Sequence, residues 1–290
     1  MTRDTYSRIG RVGVWTTLLS RSEPEVQGEN REAAAELDAL GYGAVWLGGS
    51  PGVDRAVPVL DATGRIAVAT GILSVWKDEA ADVAKSVAAL DAPARDRFLL
   101  GLGVSHAPTT PGYARPYAKM VSYLDALDAA PTPVPPARRV LAALGPKMLR
   151  LSADRAGGAH PYLVTLDHVV RARAALGPDR LLAPELGVVL DTDRDRARAT
   201  ARAALSMYLR FPNYTNNWLR LGFTEQDLDG GGSDRLLDAL FALGDADTVR
   251  ARVTAFHEAG ADHVALQVLR PDGLLPREEW RELASALELA

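Results

Sequence analysis

The most constraining feature of this chain is a repeated unit: a short apolar run, then a glycine or proline turn, then a helical pattern. The runs do not alternate between apolar and polar residues, which is typical of parallel strands covered on both faces. Eight strands separated by helices predict an α/β fold, a (β/α)8 TIM barrel, rather than two doubly wound domains. The predicted strands are 12–15, 44–47, 66–72, 98–102, 139–143, 159–163, 186–190 and 263–269.

The segments between these strands carry helix signals. Asn30 is the predicted N-cap of the first helix and Gly41 ends it, whereas Thr165 caps a later one. The charged stretch 93–97 is predicted to be a turn, and the proline-rich stretch 131–136 is predicted to be a stiff linker. The predicted helices are 30–40, 57–62, 80–91, 118–129, 147–156, 165–176, 194–208, 236–243, 245–259 and 276–289.

The segment 206–234 interrupts this rhythm between strands seven and eight. It carries five aromatic residues before a run of three glycines, so it is interpreted as an insertion rather than another repeat unit. Either a lid over the barrel or a dimer contact fits its apolar composition. No shift in composition marks a domain boundary, so 1–290 is predicted to be a single domain.

Composition excludes several classes of function. The chain has no cysteine, which excludes disulfides, thiolate catalysis and cysteine-ligated metal sites. Its net charge of −4 argues against a nucleic-acid or anionic-membrane partner. The first nine residues are polar and no long apolar stretch follows, so a cytoplasmic protein acting on a small molecule is expected.

The stretch 98–106 brings a buried strand into a flexible polar turn. Gly101 and Gly103 permit close backbone approach, and Ser105 and His106 supply polar groups at the carboxyl end of the strand. A Rossmann site is disfavoured because the third glycine of that motif is missing. Gly145, before a helix that begins with proline, offers an anion site at the helix N-terminus, although ordinary tight turns explain these glycines equally well.

The histidines do not show metal-ligand spacing, so no metal site is predicted. His106 and His160 lie at strand ends and are candidates to contact a substrate or cofactor. His168 and His257 fall inside helices and are expected to be solvated, while His263 begins a strand on the opposite, structural face. Glu185 precedes the seventh strand, where a surface position is the favoured interpretation.

Four motifs together resemble the luciferase-like monooxygenase superfamily, and more narrowly its oxidoreductases that use the deazaflavin coenzyme F-420. These motifs are Gly-Tyr-Gly-Ala-Val-Trp-Leu-Gly-Gly-Ser at 41–50, Val-Ala-Thr-Gly-Ile at 68–72, Arg-Phe-Leu-Leu-Gly-Leu-Gly at 97–103 and Val-Leu-Ala-Ala-Leu-Gly-Pro-Lys at 140–147. The resemblance also covers 158–162 and 213–217, so it spans nearly the whole chain.

The resemblance implies a homodimeric (β/α)8 barrel with the deazaflavin ring held at the carboxyl ends of the strands. A bulge in the third strand, often with a non-proline cis peptide, backs the ring in this family. The loops after strands four and five, with a glycine after the fifth helix, contact the phosphate and tail. The implied cofactor-binding residues are Thr70, Gly71, Ile72, Gly103, Val104, Ser105, Ala142, Ala143, Leu144, Gly145 and Gly158.

This chain departs from related sugar-phosphate dehydrogenases at two places. Val104 stands where they carry a carboxylate, and Gly49 and Ser50 replace an Asp-His pair. The expected function is therefore hydride transfer between coenzyme F-420 and a small organic substrate, with the proton supplied by His106, His160, Ser50 or water. The alternatives are a flavin mononucleotide (FMN) monooxygenase on the same barrel and a coenzyme-binding protein without turnover.

Overall fold

The fold is built on a parallel sheet. The computed structural model describes residues 9–289, so the first eight residues, part of the polar amino-terminal stretch, lie outside it. Every strand pairing within the described part is parallel. The strands are β1 Val12–Thr16, β2 Ala44–Leu47, β3 Ala67–Thr70, β4 Leu73–Ser74, β5 Phe98–Gly103, β6 Arg139–Leu141, β7 Gly158–Ala159, β8 Leu181–Leu182, β9 Glu185–Leu190, β10 Phe241–Gly244 and β11 Val264–Val268.

The sheet is strongly curled. The strand order is β10, β9, β11, β1, β2, β3, β5, β6, β7, β8, and β4 pairs with β5 beside it. Only Ala183 and Pro184 separate β8, at one end of this order, from β9, near the other end. The carbonyl of Pro184 accepts the amide of Ala265 in β11 at 2.9 Å. The predicted alternation and parallel sheet are therefore present, with the sheet strongly curled.

Helices cover the outside of this sheet. Thr165 caps the helix over 166–176 by accepting the amide of His168, as the sequence predicts, and Asp245 caps the helix over 246–258 by accepting that of Thr248. The helices are α1 Pro24–Ala39, α2 Val57–Ala62, α3 Ala80–Ala89, α4 Ala92–Arg97, α5 Pro116–Asp128, α6 Pro146–Arg155, α7 Leu166–Leu176, α8 Arg194–Leu205, α9 Pro212–Arg220, α10 Glu225–Leu228, α11 Asp234–Leu240, α12 Ala246–Glu258 and α13 Arg277–Ala286.

Three local predictions were wrong. Asn30 is not an N-cap, because α1 already begins at Pro24; its side-chain amide instead donates to the Leu18 carbonyl at 3.1 Å. The charged stretch 93–97 belongs to α4, capped by Asp91. Residues 241–243 form β10 instead of ending a helix, because they pair with β9.

The core has an outer and an inner part. The outer part lies between the helices and the sheet, and the inner part fills the inside of the curl around Trp46. Trp46 Nε1 donates to His263 Nε2 at 3.1 Å, and the His160 ring stacks on the Trp46 indole at 4.1 Å. His263 therefore has the structural position that the sequence predicts.

The prediction that His168 and His257 are solvated was wrong. His168 is buried, and its Nδ1 lies 3.3 Å from the side-chain amide nitrogen of Asn217. His257 is partly buried, with its Nδ1 3.0 Å from the Ala261 carbonyl. In both helices the face that carries the histidine packs toward the protein interior. A single histidine in a helical pattern does not show which face that is. Among residues 9–289, no helix is both long and apolar enough to cross a membrane.

Candidate active site

The parallel strands all end at the same edge of the curled sheet. We call this carboxyl edge the mouth. Trp15 of β1 lies across the ends of two neighbouring strands there. Its indole Nε1 donates to the Gly71 carbonyl at 2.9 Å. A Cβ at Gly48 would stand 2.4 Å from Trp15 Cζ2, and one at Gly71 would stand 2.9 Å from Trp15 Nε1. Glycine at these two positions therefore makes room for the indole.

The end of β3 has the bulge that the family resemblance implies. The peptide bond between Gly71 and Ile72 is cis. The Thr70 side chain is buried, and its Oγ1 donates to the Gly101 carbonyl at 2.8 Å and accepts the Gly101 amide at 2.9 Å. Thr70 therefore ties β3 to β5, whereas a Cβ at Gly103 would stand 2.5 Å from Ile72 Cδ1. Ile72 thus covers bare backbone at Gly103.

The turns after β5 and β6 present backbone groups side by side. The Val104 carbonyl accepts the Trp76 indole N–H at 2.7 Å, and Ser105 has a positive φ of 56°. Gly145 precedes α6, whose first turn has no side-chain cap, and no atom lies within 4 Å of a Cβ built at Gly145. Lys147 in that turn is exposed. This edge suits an anionic group, because a helix N-terminus and a lysine both favour negative charge.

The remaining predicted cofactor positions have less access. The Ala142 amide donates to the Leu102 carbonyl at 2.8 Å, and Ala143 is buried. Leu144 is partly buried against both apolar clusters that border it. Gly158 lies within β7, where a Cβ would stand 2.0 Å from the Leu181 carbonyl oxygen. Close backbone packing therefore requires glycine at position 158, whether or not a ligand binds nearby.

An aromatic group of residues 208–218 packs against the strand ends at the mouth. The ring of Tyr208 lies beside that of Tyr162, which follows β7, with 5.4 Å between the ring centroids. The Tyr208 hydroxyl donates to the Tyr162 hydroxyl at 3.1 Å, and Tyr162 donates to Gln267 Oε1 at 2.7 Å. The ring centroid of Tyr162 also lies 5.1 Å from that of Trp15, and the ring centroid of Tyr214 lies 5.2 Å from that of Tyr208. The segment therefore contacts strand ends on several sides of the mouth.

His106 joins this aromatic group from the turn after β5. Its ring stacks on Phe211 at 4.4 Å with an interplanar angle of 12°, and its Nδ1 lies 3.2 Å from Asn213 Oδ1. Partial burial lowers the pKa of His106. The imidazole is therefore neutral near pH 7, and it is positioned by the 208–218 segment.

His160 lies deeper, inside the curl, and is 1% exposed. Its Nδ1 contacts the Ala183 carbonyl at 2.6 Å, so Nδ1 is the protonated nitrogen, since a carbonyl only accepts. Burial lowers the pKa of His160 to about 4. Ser50, with a φ of 58°, lies in the partly exposed turn after β2. Of the three candidate proton donors, the structure brings only His106 into contact with the aromatic group.

Glu185 is the functional candidate that the sequence interpretation missed. The prediction that Glu185 lies on the surface was wrong, because Glu185 begins β9 and is 1% exposed. Its Oε2 accepts the Leu163 amide at 3.0 Å, and Oε1 has no hydrogen-bond partner in the described part of the chain. Burial raises the pKa of this carboxyl to about 8. The available signal was a single carboxylate in the apolar run 181–190.

The fold and the mouth together define a class of protein. A curled parallel sheet holds bare glycine backbone, an uncapped helix N-terminus and a set of tyrosine hydroxyls at its carboxyl edge. These features suit a bound organic cofactor with an anionic tail, next to groups that carry protons.

A model of the luciferase-like monooxygenase family matches residues 11–263, so the chain belongs to that family. No curated protein sequence matches this chain. Solved structures match over nearly its whole length, at sequence identities that establish the fold alone.

Three of these structures illustrate the range of the fold. An F-420-dependent secondary alcohol dehydrogenase, in complex with an F-420-acetone adduct, has a TM-score of 0.72 and 15% identity, covering 96% of this chain and 99% of its own. The F-420-dependent tetrahydromethanopterin reductase of Methanopyrus kandleri has a TM-score of 0.71 and 14% identity, with coverage of 97% and 99%. The oxygenating constituent of 3,6-diketocamphane monooxygenase from Pseudomonas putida, in complex with FMN, has a TM-score of 0.67 and 14% identity, with coverage of 97% and 96%.

Proposed function

We propose that this protein is an oxidoreductase on a (β/α)8 barrel that transfers a hydride between the deazaflavin coenzyme F-420 and a small organic substrate. The observation that carries the proposal is the hydrogen-bonded pair of hydroxyls, Tyr208 and Tyr162, at the mouth. Reduction of a carbonyl or imine by hydride requires a proton at the neighbouring oxygen or nitrogen. The mouth offers such protons beside the bare backbone of the β3 bulge.

The residues of the mouth fit the coenzyme. A ring placed against Gly71 and Ile72 would lie beside the Trp15 indole, with the Ile72 side chain filling the space above Gly103. The anionic tail would lie along Ser105 and Gly145, next to Lys147 and the uncapped start of α6. Open space at the Gly145 Cβ position leaves its backbone accessible to a phosphate.

When bound, the coenzyme gives or takes a hydride at its ring. The chain's own residues would orient the substrate, exclude water and move the proton. Tyr208, Tyr214 and Phe211 would cover the substrate, because they pack over the strand ends. His106 would help to fix this cover through its stacking on Phe211. Two of the matched structures use F-420, which agrees with the resemblance in the strand-end motifs.

Spectral titration tests this assignment directly. The protein is titrated separately with oxidised F-420 and with FMN, and absorbance and fluorescence changes are followed. Micromolar binding of F-420 with weaker FMN binding is expected. Binding of FMN alone would overturn the choice of coenzyme and favour the monooxygenase alternative. Binding of reduced F-420 without oxidation by a panel of ketones, enones and imines would instead favour a carrier protein. The family resemblance also leads us to propose a homodimer, which sedimentation would measure.

A further inference from the structure

Glu185 lies on the inner face of the curled sheet, directly beside Tyr162. The parallel pairing of β7 with β8 aligns Gly158 with Leu181, and the Glu185 amide donates to the Pro161 carbonyl at 2.9 Å. Continuing this register places residue 162 opposite residue 185. Since parallel neighbours in register point to the same face, the two side chains lie next to each other.

The two oxygens of the Glu185 carboxyl have different surroundings. Oε2 accepts the Leu163 amide, which a φ of 51° at Leu163 turns toward it. Because Oε2 acts as acceptor, the proton of the neutral acid resides on Oε1. Oε1 lies 3.6 Å from the position that a Gly187 Cβ would take, with no partner in residues 9–289. A buried O–H donor without an acceptor is costly in a folded protein and points to a task.

Several titratable groups face this carboxyl. Tyr162 lies beside it on β7, and Tyr208 and Tyr214 approach from the segment above. Burial raises the pKa of all three phenols. On the other side, His160 and His263 are neutral, because burial lowers the pKa of each to about 4. None of these five groups can release a proton near neutral pH, which leaves the carboxylic acid.

We propose that Glu185 is the proton source of this site, and that its proton reaches the substrate through the hydroxyls of Tyr162 and Tyr208. This inference rests on the proposed hydride transfer. When bound, the reduced deazaflavin would supply a hydride, with its two electrons, to the substrate carbon as the C=O π bond breaks. The substrate oxygen takes the Tyr208 proton, Tyr208 takes that of Tyr162, and Tyr162 takes the proton of Glu185 Oε1. A carboxylate remains, and water restores its proton after turnover.

This route requires the hydroxyl hydrogens to rotate. At rest, Tyr208 donates to Tyr162 and Tyr162 donates to Gln267. Rotation about the phenolic C–O bonds reverses the Tyr208–Tyr162 bond and frees the Tyr162 oxygen as an acceptor. A shift of the Glu185 side chain then brings Oε1, which has no partner among residues 9–289 at rest, to that oxygen. Alcohol oxidation follows the same path in the opposite direction, with Glu185 as the final acceptor.

The test compares the wild-type protein with Glu185→Gln, which keeps an oxygen acceptor for the Leu163 amide but cannot supply the proton. The matched control is Glu36→Gln, a carboxylate on α1 that accepts from Arg277 at 2.6 Å on the outer layer. Rates of single-turnover oxidation of bound reduced F-420 by a ketone are measured from pH 5 to 10. In parallel, infrared spectroscopy of the coenzyme-free protein follows the carbonyl band of protonated carboxylic acids over the same range.

The wild type and Glu36→Gln are expected to lose rate above about pH 8, in parallel with loss of an infrared band. Glu185→Gln should lack both this band and the pH limb, with a rate about 10²-fold lower at pH 7. Glu185→Asp should recover part of the rate, and the pH above which its rate declines should differ from that of the wild type. An unchanged rate and limb in Glu185→Gln would overturn the proton route, as would a carboxyl already ionised at pH 6. If F-420 does not bind, the proposed function fails, yet the infrared titration still decides the protonation of Glu185.

Discussion

Tyr208 donates its hydroxyl proton to the hydroxyl of Tyr162 across 3.1 Å, although 46 residues separate them in the chain. This bond joins the segment that follows α8 to the end of β7. Because Tyr162 also donates to Gln267 in β11, three distant parts of the chain meet in one hydrogen-bonded row.

Removal of the Tyr208 hydroxyl should slow catalysis without loss of the fold. In Tyr208→Phe the ring contacts with Tyr162 and Tyr214 remain, whereas the row loses its outermost donor. We expect kcat to fall about 10²-fold with a small change in KM, since the hydroxyl acts as the acid. Steady-state kinetics with F-420 and a ketone measure this. Tyr117→Phe, at an exposed site, is the control. Equal kcat values for the two variants would exclude Tyr208 as the donor.

A side chain at Gly71 should displace the Trp15 indole. A Cβ there would stand 2.9 Å from Trp15 Nε1 and 3.2 Å from the Trp46 Cβ. In Gly71→Val we therefore expect coenzyme binding to be lost and the tryptophan fluorescence to change. Spectral titration and emission spectra measure the two effects, and circular dichroism confirms the fold. Coenzyme affinity equal to that of the wild type would refute the placement of the ring against β3.

Gly28→Ala should stabilise the protein. Gly28 is exposed within α1, and no atom lies within 4 Å of a Cβ built there. Alanine in a helix interior is favoured over glycine by about 0.5–1 kcal/mol. Chemical denaturation should show this gain with an unchanged m-value, and activity should not change. A loss of stability would mean that α1 does not extend this far in solution.

Stability should pass through a maximum near pH 6.5. Burial lowers the pKa of His160, His168 and His263 to about 4 each, so stability falls as the pH drops from their ordinary value of 6.5 toward 4, because the unfolded chain binds more protons. Glu185 acts oppositely. Its pKa is raised to about 8, so the folded protein retains a proton that the unfolded chain has lost, and stability falls as the pH rises toward 8.

Glu185→Gln separates these two contributions. Between pH 6.5 and 8 the unfolding free energy of the wild type should fall relative to that of the variant by up to about 1.4 kcal/mol per pH unit. The variant should lack this decline and keep the loss of stability on the acid side that the histidines set. Urea unfolding at intervals of half a pH unit measures both slopes. Parallel slopes for wild type and variant above pH 6.5 would show that Glu185 is ionised throughout.

The local sequence was sufficient to predict most of the strands and helices. Apolar runs without alternation correctly predicted the parallel strands, because a strand covered on both faces needs apolar side chains on both. The turn glycines at Gly71, Gly103 and Gly145 could be located for the same reason, since backbone freedom is a property of the residue itself. The cap at Thr165 was likewise local.

Burial of polar groups was decided by the tertiary structure. Glu185, His160 and His168 look like ordinary polar residues in sequence, but the curl of the sheet and the packing of α7 remove them from water. Their pKa values follow from that burial, and the proximity of Tyr162 to Tyr208 follows from how the 208–218 segment folds back. The sequence determined where strands end and bend, because those are properties of neighbouring residues. Only the curled arrangement of the strands determined which side chains meet and how burial shifts their pKa values, because desolvation depends on everything packed around a group.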